Sequence, residues 1–465
     1  MRNRAAVAGL CVFGGILFFL VSCGSPGPDV TQQPPPFSYP DGPSGAIAVS
    51  GSNPQPMTTR FGQNYWCWSN YGDQVQGTES LVTALKLNVL RAGGYNNDAN
   101  TSNGVDPFDY NQIDTYIAYS RAVGAEPILQ VSLLADFDGV TRPQPSDAAA
   151  IVNYTNVAKG YGVKYWEIGN EPDIYSDQGS YPGYTVNDYA NDFNRFSQAM
   201  RQVDASIKFV GPDLAWKYFP NVSGANDWLA AFLTLSSGNY DVVSVHRYPF
   251  DAQDSTIANA LADAQTFSSV IQGVRADMAA AGLPPNFPLA VTEANISWDG
   301  DPSHSIATAS PQTFFAGLWV ADNLSTALQL NLWSVNYWSL SEGWTTGFID
   351  ATTKLPKPSY YGFQMISNHV GTTLIQATPP QGFSVYASRN ATNDTTILIV
   401  INKNATNNSE TIVFSGLPTN PTVPAYKFPA YSLTCLTIPD NGSAMSVWSY
   451  TQAMAADGQP PERLQ

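Results

Sequence analysis

Two glutamates at the ends of strand-like segments are the residues of this chain best suited to acid and nucleophilic chemistry. Glu171 lies in YWEIGNEPD (165–173), and Glu293 lies in LAVTEANIS (289–297). Hydrolysis of a glycosidic bond needs two carboxyl groups across a cleft, one to protonate the leaving oxygen and one to attack the anomeric carbon or to activate water. The two segments are far apart in the sequence, so this chemistry requires a fold that brings them together.

A third glutamate, Glu167, lies in the same strand-like segment as Glu171. Alternation along an extended strand places both side chains on one side, with Glu167 roughly one layer lower. We therefore expect Glu167 to be a buried, paired carboxylate that supports the fold, and Glu171 to lie at the open end of the strand.

The elements that must position these residues alternate regularly between residues 59 and 371. Short apolar strand-like runs are each followed by a helical pattern, and this unit occurs eight times. Strands that alternate with helices form a parallel sheet, and eight such units predict a closed (β/α)8 TIM barrel of the α/β class. An open doubly wound sheet is the alternative, but its first strand would be followed by a Gly-rich phosphate turn, and GQNYWCWSN is not one.

In a barrel of this kind, functional residues lie at the C-terminal ends of the strands. Glu171 ends the fourth predicted strand and Glu293 ends the seventh. These strands lie across the barrel mouth from each other, so the barrel brings the two carboxyl groups to one cleft.

The pattern changes after residue 371. Strand-like runs separated by Asn, Gly, Pro and Thr continue to residue 451 without a helical pattern, which predicts an all-β sandwich domain over 372–451. The segment 46–58, before the barrel, is expected to add a strand to this domain. Residues 452–465 are expected to form a flexible tail.

The N-terminus has the form of an export signal. A basic MRNR is followed by an apolar run that ends in LVSCG. This ending resembles the lipobox of bacterial lipoproteins, which implies a signal peptide over 1–23, lipidation of Cys23 and a Pro/Gly-rich linker over 24–45. An ordinary cleaved signal and an uncleaved membrane anchor are the alternatives. We expect an exported protein, anchored at the cell surface or in the periplasm, or otherwise secreted.

Composition and charge exclude several classes of partner. The 465 residues carry a formal net charge of −16, which disfavours binding to nucleic acid and to anionic membranes. Three histidines and four cysteines form no cluster with metal-ligand spacing, so we expect neither a metal nor another cofactor. Apart from the leader, the cysteines are Cys67 and Cys435, whose pairing the sequence leaves open. The sequence also leaves the oligomeric state open. We expect contact with a membrane only through the N-terminal lipid.

The strand-end motifs resemble those of the retaining glycoside hydrolases of clan A. WEIGNEPD and LAVTEANIS carry the resemblance, and VSVHRYP, VNYWSL and KPSYYGFQMISNHVG are most similar to families 39 and 79. Families 44, 51, 30 and 5 share much of the pattern. The resemblance implies that Glu171 is the general acid/base and Glu293 the nucleophile of a double displacement through a covalent glycosyl-enzyme.

The same resemblance implies roles for neighbouring residues. Asn170 would bind the sugar 2-OH, and Arg91, at the end of the second predicted strand, would keep Glu293 ionised and oriented. A turn-forming asparagine and a structural ion pair are the alternatives.

Three further side chains are candidates for substrate binding. His246 and Tyr248 are two residues apart at the end of the sixth predicted strand, so they face the same way and could bond the nucleophile or the sugar. Trp338, near the end of the eighth, suits a platform on which a sugar ring stacks. Asp173 and Asp213 are weaker candidates for lining the cleft.

Two other functions compete with a glycosidase. A non-catalytic carbohydrate-binding or scaffold protein on the same barrel would be marked by loss of Glu171 or Glu293, and both are present. An esterase would need a G-x-S-x-G motif, which the sequence lacks.

The sugar and the choice between exo and endo action stay open. Family 39 would imply a xylosidase or iduronidase, family 79 a β-glucuronidase, and families 44 and 51 an endoglucanase or arabinofuranosidase. The scarcity of Lys and Arg favours a neutral sugar over a uronate.

Overall fold

The structure is a computed structural model that describes residues 37–66, 75–100, 109–218, 228–301, 308–342 and 345–465. The predicted signal peptide, Cys23, most of the linker and Cys67 lie outside these residues. Of the helices in the described ranges, none combines the length and apolar character needed to cross a membrane.

Eight parallel strands close into a barrel, as the repeating strand–helix pattern predicted. Strand β1 (Gly45–Pro56) precedes them and belongs to a second sheet. The barrel strands are hydrogen-bonded in chain order, and β9 returns to pair with β2. They are β2 (Arg60–Tyr65), β3 (Val89–Ala92), β4 (Glu126–Val131), β5 (Tyr165–Ile168), β6 (Lys208–Leu214), β7 (Val242–Arg247), β8 (Leu289–Ala294) and β9 (Ser334–Tyr337).

Helices surround the barrel. They are α1 (Glu79–Thr83), α2 (Tyr95–Ala99), α3 (Tyr110–Ala122), α4 (Pro145–Val152), α5 (Val186–Val203), α6 (Trp228–Leu235), α7 (Ile257–Ala280), α8 (Phe314–Gln329) and α9 (Pro358–His369). A π-helical turn, Asn153–Ala158, extends α4, and a 3-10 turn, Pro172–Ile174, follows β5.

Local sequence explains where these helices begin and which face they bury. Asp109 accepts hydrogen bonds from the first-turn N–H groups of α3, and Thr185 does the same for α5. In α5, Tyr189, Phe193 and Met200 recur on one face and are buried against the barrel.

The N-terminal end of the barrel interior is closed by apolar side chains, which we call the basal layer. Its members lie on six strands and form one cluster: Val89, Ile128, Tyr165, Val210, Val242 and Ala290. Alternation then places Arg91 above Val89 and Glu167 above Tyr165 on the same inward face. The basal layer is therefore the floor beneath the strand-end residues.

The second sheet has nine strands and is mostly antiparallel. A two-stranded parallel pair, β10 (Ser341–Glu342) and β11 (Ile349–Asp350), precedes it at the barrel mouth. The remaining strands are β12 (Thr373–Thr378), β13 (Phe383–Arg389), β14 (Thr395–Asn402), β15 (Asn408–Ser415), β16 (Tyr426–Phe428), β17 (Ser432–Pro439), β18 (Ser446–Thr451) and β19 (Glu462–Arg463). The order in the sheet is β16–β15–β1–β12–β13–β14–β17–β18–β19.

Both ends of the described chain join this sheet. The segment 46–58, expected to contribute a strand, forms β1, which lies parallel to β15 and antiparallel to β12. The segment 452–465, expected to be a flexible tail, is instead ordered. It forms helix α10 (Gln452–Ala456), capped by Thr451, and then β19, which pairs with β18. Edge pairing of a short, polar strand gives no apolar pattern, which is why the sequence prediction was wrong here.

One face of the sheet packs against the barrel. The Tyr386 hydroxyl donates to Asp322 Oδ1 on α8 at 2.7 Å, and Lys403 Nζ lies 2.6 Å from Asp322 Oδ2. Cys435, on the same face, is a buried free thiol in the part of the chain that the structure describes. Burial raises its pKa, so it is an unreactive packing residue.

Candidate active site

The turn after β5 points Glu171 into the barrel mouth. Gly169 has φ +73° and Glu171 has φ +50°, both in the left-handed region, and Pro172 starts the 3-10 turn. A Cβ at position 169 would lie 2.6 Å from the Tyr175 hydroxyl, so only glycine fits there. The Glu171 N–H donates to the Asp213 carbonyl at 3.1 Å. The sequence GNEP therefore encodes a fixed, sharply curved turn.

The Glu171 carboxyl group is held against His246. Its Oε1 lies 2.9 Å from His246 Nδ1, and 17% of the side chain is exposed to solvent. Burial, and after it the negative charge of Asp173, raise the pKa of Glu171 to about 8. After burial, Asp173 is the main charged contributor to this rise. The group keeps its proton at neutral pH.

Glu293, near the end of β8, has both oxygens fixed. Oε1 accepts from Arg91 Nη1 at 2.8 Å, and Oε2 accepts from the Tyr248 hydroxyl at 2.7 Å. Only 7% of the side chain is exposed. Charge-assisted bonds of this kind orient a carboxylate and stabilise its negative charge. The two glutamates therefore have opposite electrostatic surroundings.

The two carboxyl groups share one small space with His246. One oxygen from each glutamate and one ring nitrogen of His246 all lie within 4.8 Å of one another. Three such donors can ligate a metal ion. Here, however, the Glu293 oxygens are engaged by Arg91 and Tyr248, and a guanidinium 2.8 Å away opposes a second cation. The cluster fits a proton-exchanging pair of carboxyl groups better than a metal centre.

Arg91, on β3, connects most of the site. Besides Glu293, it donates from Nε to Glu167 Oε2 at 2.6 Å, from Nη1 to Asn64 Oδ1 at 3.0 Å and from Nη2 to Asn170 Oδ1 at 2.9 Å. Complete burial disfavours its charge, but the two neighbouring carboxylates outweigh that effect and raise its pKa. Arg91 is a permanent cation whose nitrogens are all occupied.

Glu167 is buried beneath the cleft and paired with Arg91, as its strand position predicted. Burial raises its pKa well above the ordinary value, and Arg91 offsets part of that rise. Its Oε1 has no hydrogen-bond partner among the described residues. The structure therefore separates Glu167, which supports Arg91, from Glu171, which faces the cleft.

The His246–Tyr248 pair contacts both glutamates, whereas the sequence predicted contact with the nucleophile or the sugar. His246 Nδ1 lies 2.9 Å from Glu171 Oε1 and 3.6 Å from Glu293 Oε2. Burial lowers the pKa of His246, so the ring is neutral at physiological pH. Burial and the Glu293 charge raise the pKa of Tyr248, so its hydroxyl stays a donor.

Trp338 lines the cleft beside Glu293. Its ring is 5.5 Å from that of Trp66, and it passes so close to Gly94 that a Cβ there would lie 2.6 Å from Trp338 Cη2. The half-buried indole presents the kind of surface on which a sugar ring stacks. It also hydrogen-bonds to Glu342, a buried carboxyl whose pKa burial raises to about 7.

Three polar residues of the site were absent from the sequence prediction. Asn64 contacts Arg91 and donates to the Thr292 carbonyl at 3.0 Å, and Gln130 Oε1 accepts from Gly94 N at 2.7 Å. Both lie next to the last residue of a barrel strand, so a rule that selects polar strand ends would have found them. Glu342 lies in the two-residue strand β10, outside the barrel, and carries no such signal.

The two aspartates proposed for the cleft have mainly structural contacts. Asp173 accepts from the backbone N–H groups of residues 215–217 at 2.9–3.1 Å. Asp213 Oδ1 accepts from Thr292 Oγ1 at 2.5 Å and lies 3.9 Å from His246 Nε2. Both are buried and act on the site through their charge.

Comparison with solved structures supports the barrel with its accessory sheet. An α-L-arabinofuranosidase from Thermotoga maritima is 15% identical with a TM-score of 0.65, over 88% of this chain and 98% of that one. CelM2, a bifunctional glucanase-xylanase from a metagenome library, is 18% identical with a TM-score of 0.66, over 86% and 100%. A family 44 xyloglucanase from Paenibacillus polymyxa is 15% identical with a TM-score of 0.63, over 86% and 100%. At these identities the likeness establishes the fold.

Sequence comparison establishes the family. No curated protein sequence matches the chain. The family profile of the glycosyl hydrolases of family 39 matches residues 155–414, more than half of the chain, and this range includes both Glu171 and Glu293. Of the two families that the strand-end motifs resemble most, family 39 is the one matched. The chain is a glycosidase that belongs to glycosyl hydrolase family 39.

Proposed function

We propose that this glycosidase is a retaining enzyme that cleaves O-glycosidic bonds of an oligo- or polysaccharide. Glu171 is the general acid/base and Glu293 the nucleophile. The observation that carries the proposal is the short distance between the two carboxyl groups: an oxygen of Glu171 lies within 4.8 Å of an oxygen of Glu293. Retaining enzymes hold these groups about 5–5.5 Å apart, whereas inverting enzymes leave roughly 6.5–9.5 Å for a water molecule.

The first step uses the contrast between the two glutamates. Glu171, with its pKa raised to about 8, carries the proton that the leaving oxygen takes. Glu293, oriented by Arg91 and Tyr248, attacks the anomeric carbon as the glycosidic bond breaks. The product of the step is a glycosyl ester on Glu293 and a free leaving alcohol.

The second step reverses the role of Glu171. Esterification removes the negative charge of Glu293 and leaves the charge of Arg91 less compensated, and both changes favour ionisation of Glu171. The ionised carboxylate then takes a proton from water, and the hydroxide attacks the anomeric carbon. Glu293 is released as a carboxylate, and Glu171 regains its proton.

The surroundings of the site support a neutral sugar as substrate. The nitrogens of Arg91 are already bonded to protein oxygens, and Glu342 adds another carboxyl beside Trp338. The inner segments outside the described residues contain no lysine or arginine: 67–74, 101–108, 219–227, 302–307 and 343–344. Asn170 and Trp338 would bind the sugar hydroxyls and the ring face.

We also propose that the enzyme acts outside the cytoplasm, tethered through lipidated Cys23. The support is the sequence of residues 1–23 alone. Metabolic labelling with a lipid precursor tests this, because Cys23→Ser should abolish incorporation.

The proposed mechanism is tested on protein lacking residues 1–36. A panel of aryl β-xylosides, β-glucosides, β-glucuronides and α-arabinofuranosides identifies the sugar, and NMR of the first product anomer identifies the stereochemistry. We expect retention and activity on a neutral sugar. Glu293→Gln should abolish turnover, whereas the matched control Glu126→Gln, at the opposite end of a barrel strand, should not. Inversion, or normal turnover by Glu293→Gln, would overturn the assignment.

A further inference from the structure

Asp98 is a buried carboxylate outside the acid pair that holds three strand-end loops together. It lies in α2, after β3, and is inaccessible to solvent. Its Oδ1 accepts from Leu133 N, after β4, at 2.7 Å. Its Oδ2 accepts from Asn170 N, after β5, at 3.1 Å and also from the Tyr175 hydroxyl. One side chain therefore fixes the relative positions of the loops after β3, β4 and β5.

The turn that Asp98 holds is the one that carries Glu171. The left-handed conformation is unfavourable for a non-glycine residue, so Glu171 keeps its φ of +50° only where other contacts impose it. The contacts on the Asn170 N–H are Asp98 Oδ2 and, at 3.2 Å, the Tyr175 hydroxyl. Asp98 and Tyr175 thus secure the peptide immediately before Glu171.

We propose that Asp98 is a positioning residue for the general acid. Its carboxylate holds the Asn170–Glu171 turn so that the Glu171 carboxyl stays 2.9 Å from His246 and within reach of the leaving oxygen. This inference rests on the acid/base role proposed for Glu171.

An asparagine cannot replace this carboxylate. Leu133 N and Asn170 N donate to different oxygens of Asp98, so an amide would face one of these N–H groups with its own NH2. In Asp98→Asn the turn loses one anchor and the Glu171 carboxyl loses its fixed position. Glu293 keeps its own hydrogen bonds to Arg91 and Tyr248.

The test uses the dependence of turnover on the leaving group. 2,4-Dinitrophenolate leaves without protonation, whereas phenolate and alkoxides need the acid, so loss of acid positioning is specific to the poorer leaving groups. The probes are 2,4-dinitrophenyl and phenyl β-xyloside, or the same aglycons on the sugar that the panel identifies. For Asp98→Asn, we expect kcat/KM, which reports the glycosylation step, to fall by about tenfold or more on the phenyl glycoside and by less than about threefold on the dinitrophenyl glycoside.

Two further variants keep the inference testable. Tyr175→Phe removes one bond to the same turn but keeps the carboxylate, and should give a smaller effect with the same leaving-group dependence. Asp322→Asn, which alters another buried aspartate that accepts from a tyrosine, should show no leaving-group dependence.

Equal losses on both substrates in Asp98→Asn and in Tyr175→Phe would overturn the inference, as would no loss in either. If Asp98→Asn does not fold, Tyr175→Phe alone decides. Glu171→Ala separates this outcome from failure of the proposed function, because its leaving-group dependence tests the acid role without involving Asp98.

Discussion

The two ends of the barrel interior are built on the same strands and have opposite character. On β3, Val89 belongs to the basal layer and Arg91, two residues later, contacts the nucleophile candidate. On β5, Tyr165 and Glu167 repeat this arrangement. We call Arg91, Glu167, His246 and Glu293 the upper layer. A step of two residues along a strand therefore separates an apolar layer from a layer of charged and polar side chains.

The two layers obtain their stability differently. Apolar burial stabilises the basal layer by roughly 25 cal/mol per Å² removed from water. The upper layer buries ionisable groups, which is costly unless each is paired. Arg91 meets that cost with four hydrogen bonds to oxygens of Asn64, Glu167, Asn170 and Glu293. The basal layer therefore depends on apolar contact, whereas the upper layer depends on its ion pairs and hydrogen bonds to Arg91.

The largest expected effect comes from removing the acid at the rim. Glu171→Ala should lower kcat by about 10²–10⁴-fold on substrates with poor leaving groups, because general acid catalysis supplies that factor. On a 2,4-dinitrophenyl glycoside, whose leaving group needs no acid, added azide should restore turnover and give a glycosyl azide, since the small anion enters the space of the lost carboxyl and replaces water as the nucleophile of the second step. The midpoint of thermal unfolding should change little. The Glu171 side chain is 17% exposed, and its carboxyl group has one hydrogen bond among the described residues, to His246.

Breaking the pairing of the upper layer should reduce both stability and activity. Arg91→Met leaves Glu167 and Glu293 without a cation and should lower the free energy of unfolding by about 3–5 kcal/mol, measured by urea denaturation. Arg121→Met, which breaks an exposed ion pair with Glu126, should change it by less than about 1 kcal/mol. Equal effects would mean that Arg91 does not organise the layer.

A cavity in the basal layer should reduce stability alone. Val242→Ala removes buried carbon atoms from that layer and should lower the free energy of unfolding by about 2 kcal/mol. The kcat of the folded variant should equal that of the parent. Val413→Ala, on the exposed face of β15, should be close to neutral in both measurements. A fall in kcat for Val242→Ala would show that the layers are not independent.

The smallest expected effect is on pH dependence, which comes from Glu171 at the barrel mouth. With the pKa of Glu171 near 8, kcat/KM should fall about tenfold per pH unit above pH 8, as the acid loses its proton. A folded pKa of about 8 lies above the ordinary 4.5, so the same group favours folding at low pH, and its contribution to stability is lost as pH rises from about 4.5 to about 8. In Glu171→Ala, the fall in kcat/KM above pH 8 and the loss of stability between about pH 4.5 and about pH 8 should both disappear.

The barrel and its acid pair could be predicted from the sequence because they depend on short-range patterns. Buried parallel strands appear as apolar runs, and a polar residue that ends such a run must face the barrel mouth. The carboxyl groups of Glu171 and Glu293, and the side chains of Arg91, His246 and Tyr248, meet for this reason.

Other parts of the site depend on loop conformation, which spacing does not encode. Asp98 lies in a helix of five residues, too short to show a helical period. Glu342 reaches Trp338 from the loop strand β10. The charge that raises the pKa of Glu171 comes from Asp173, whose position follows from the 3-10 turn after β5. Each of these contacts requires the backbone path to be known.

Strand β1 determines the order in which the accessory sheet can assemble. Ala48 of β1 pairs with Thr378 of β12 on one side and with Val413 of β15 on the other. Because β12 and β15 are synthesised more than 300 residues after β1, β1 cannot pair until they have been made. The sheet is therefore expected to close last. The sheet also cannot be replaced by exchanging the C-terminal part of the chain alone. A cut near residue 372 would leave β1 on the barrel with both of its edges unpaired. Grafting this barrel onto another scaffold requires two junctions, one on each side of it.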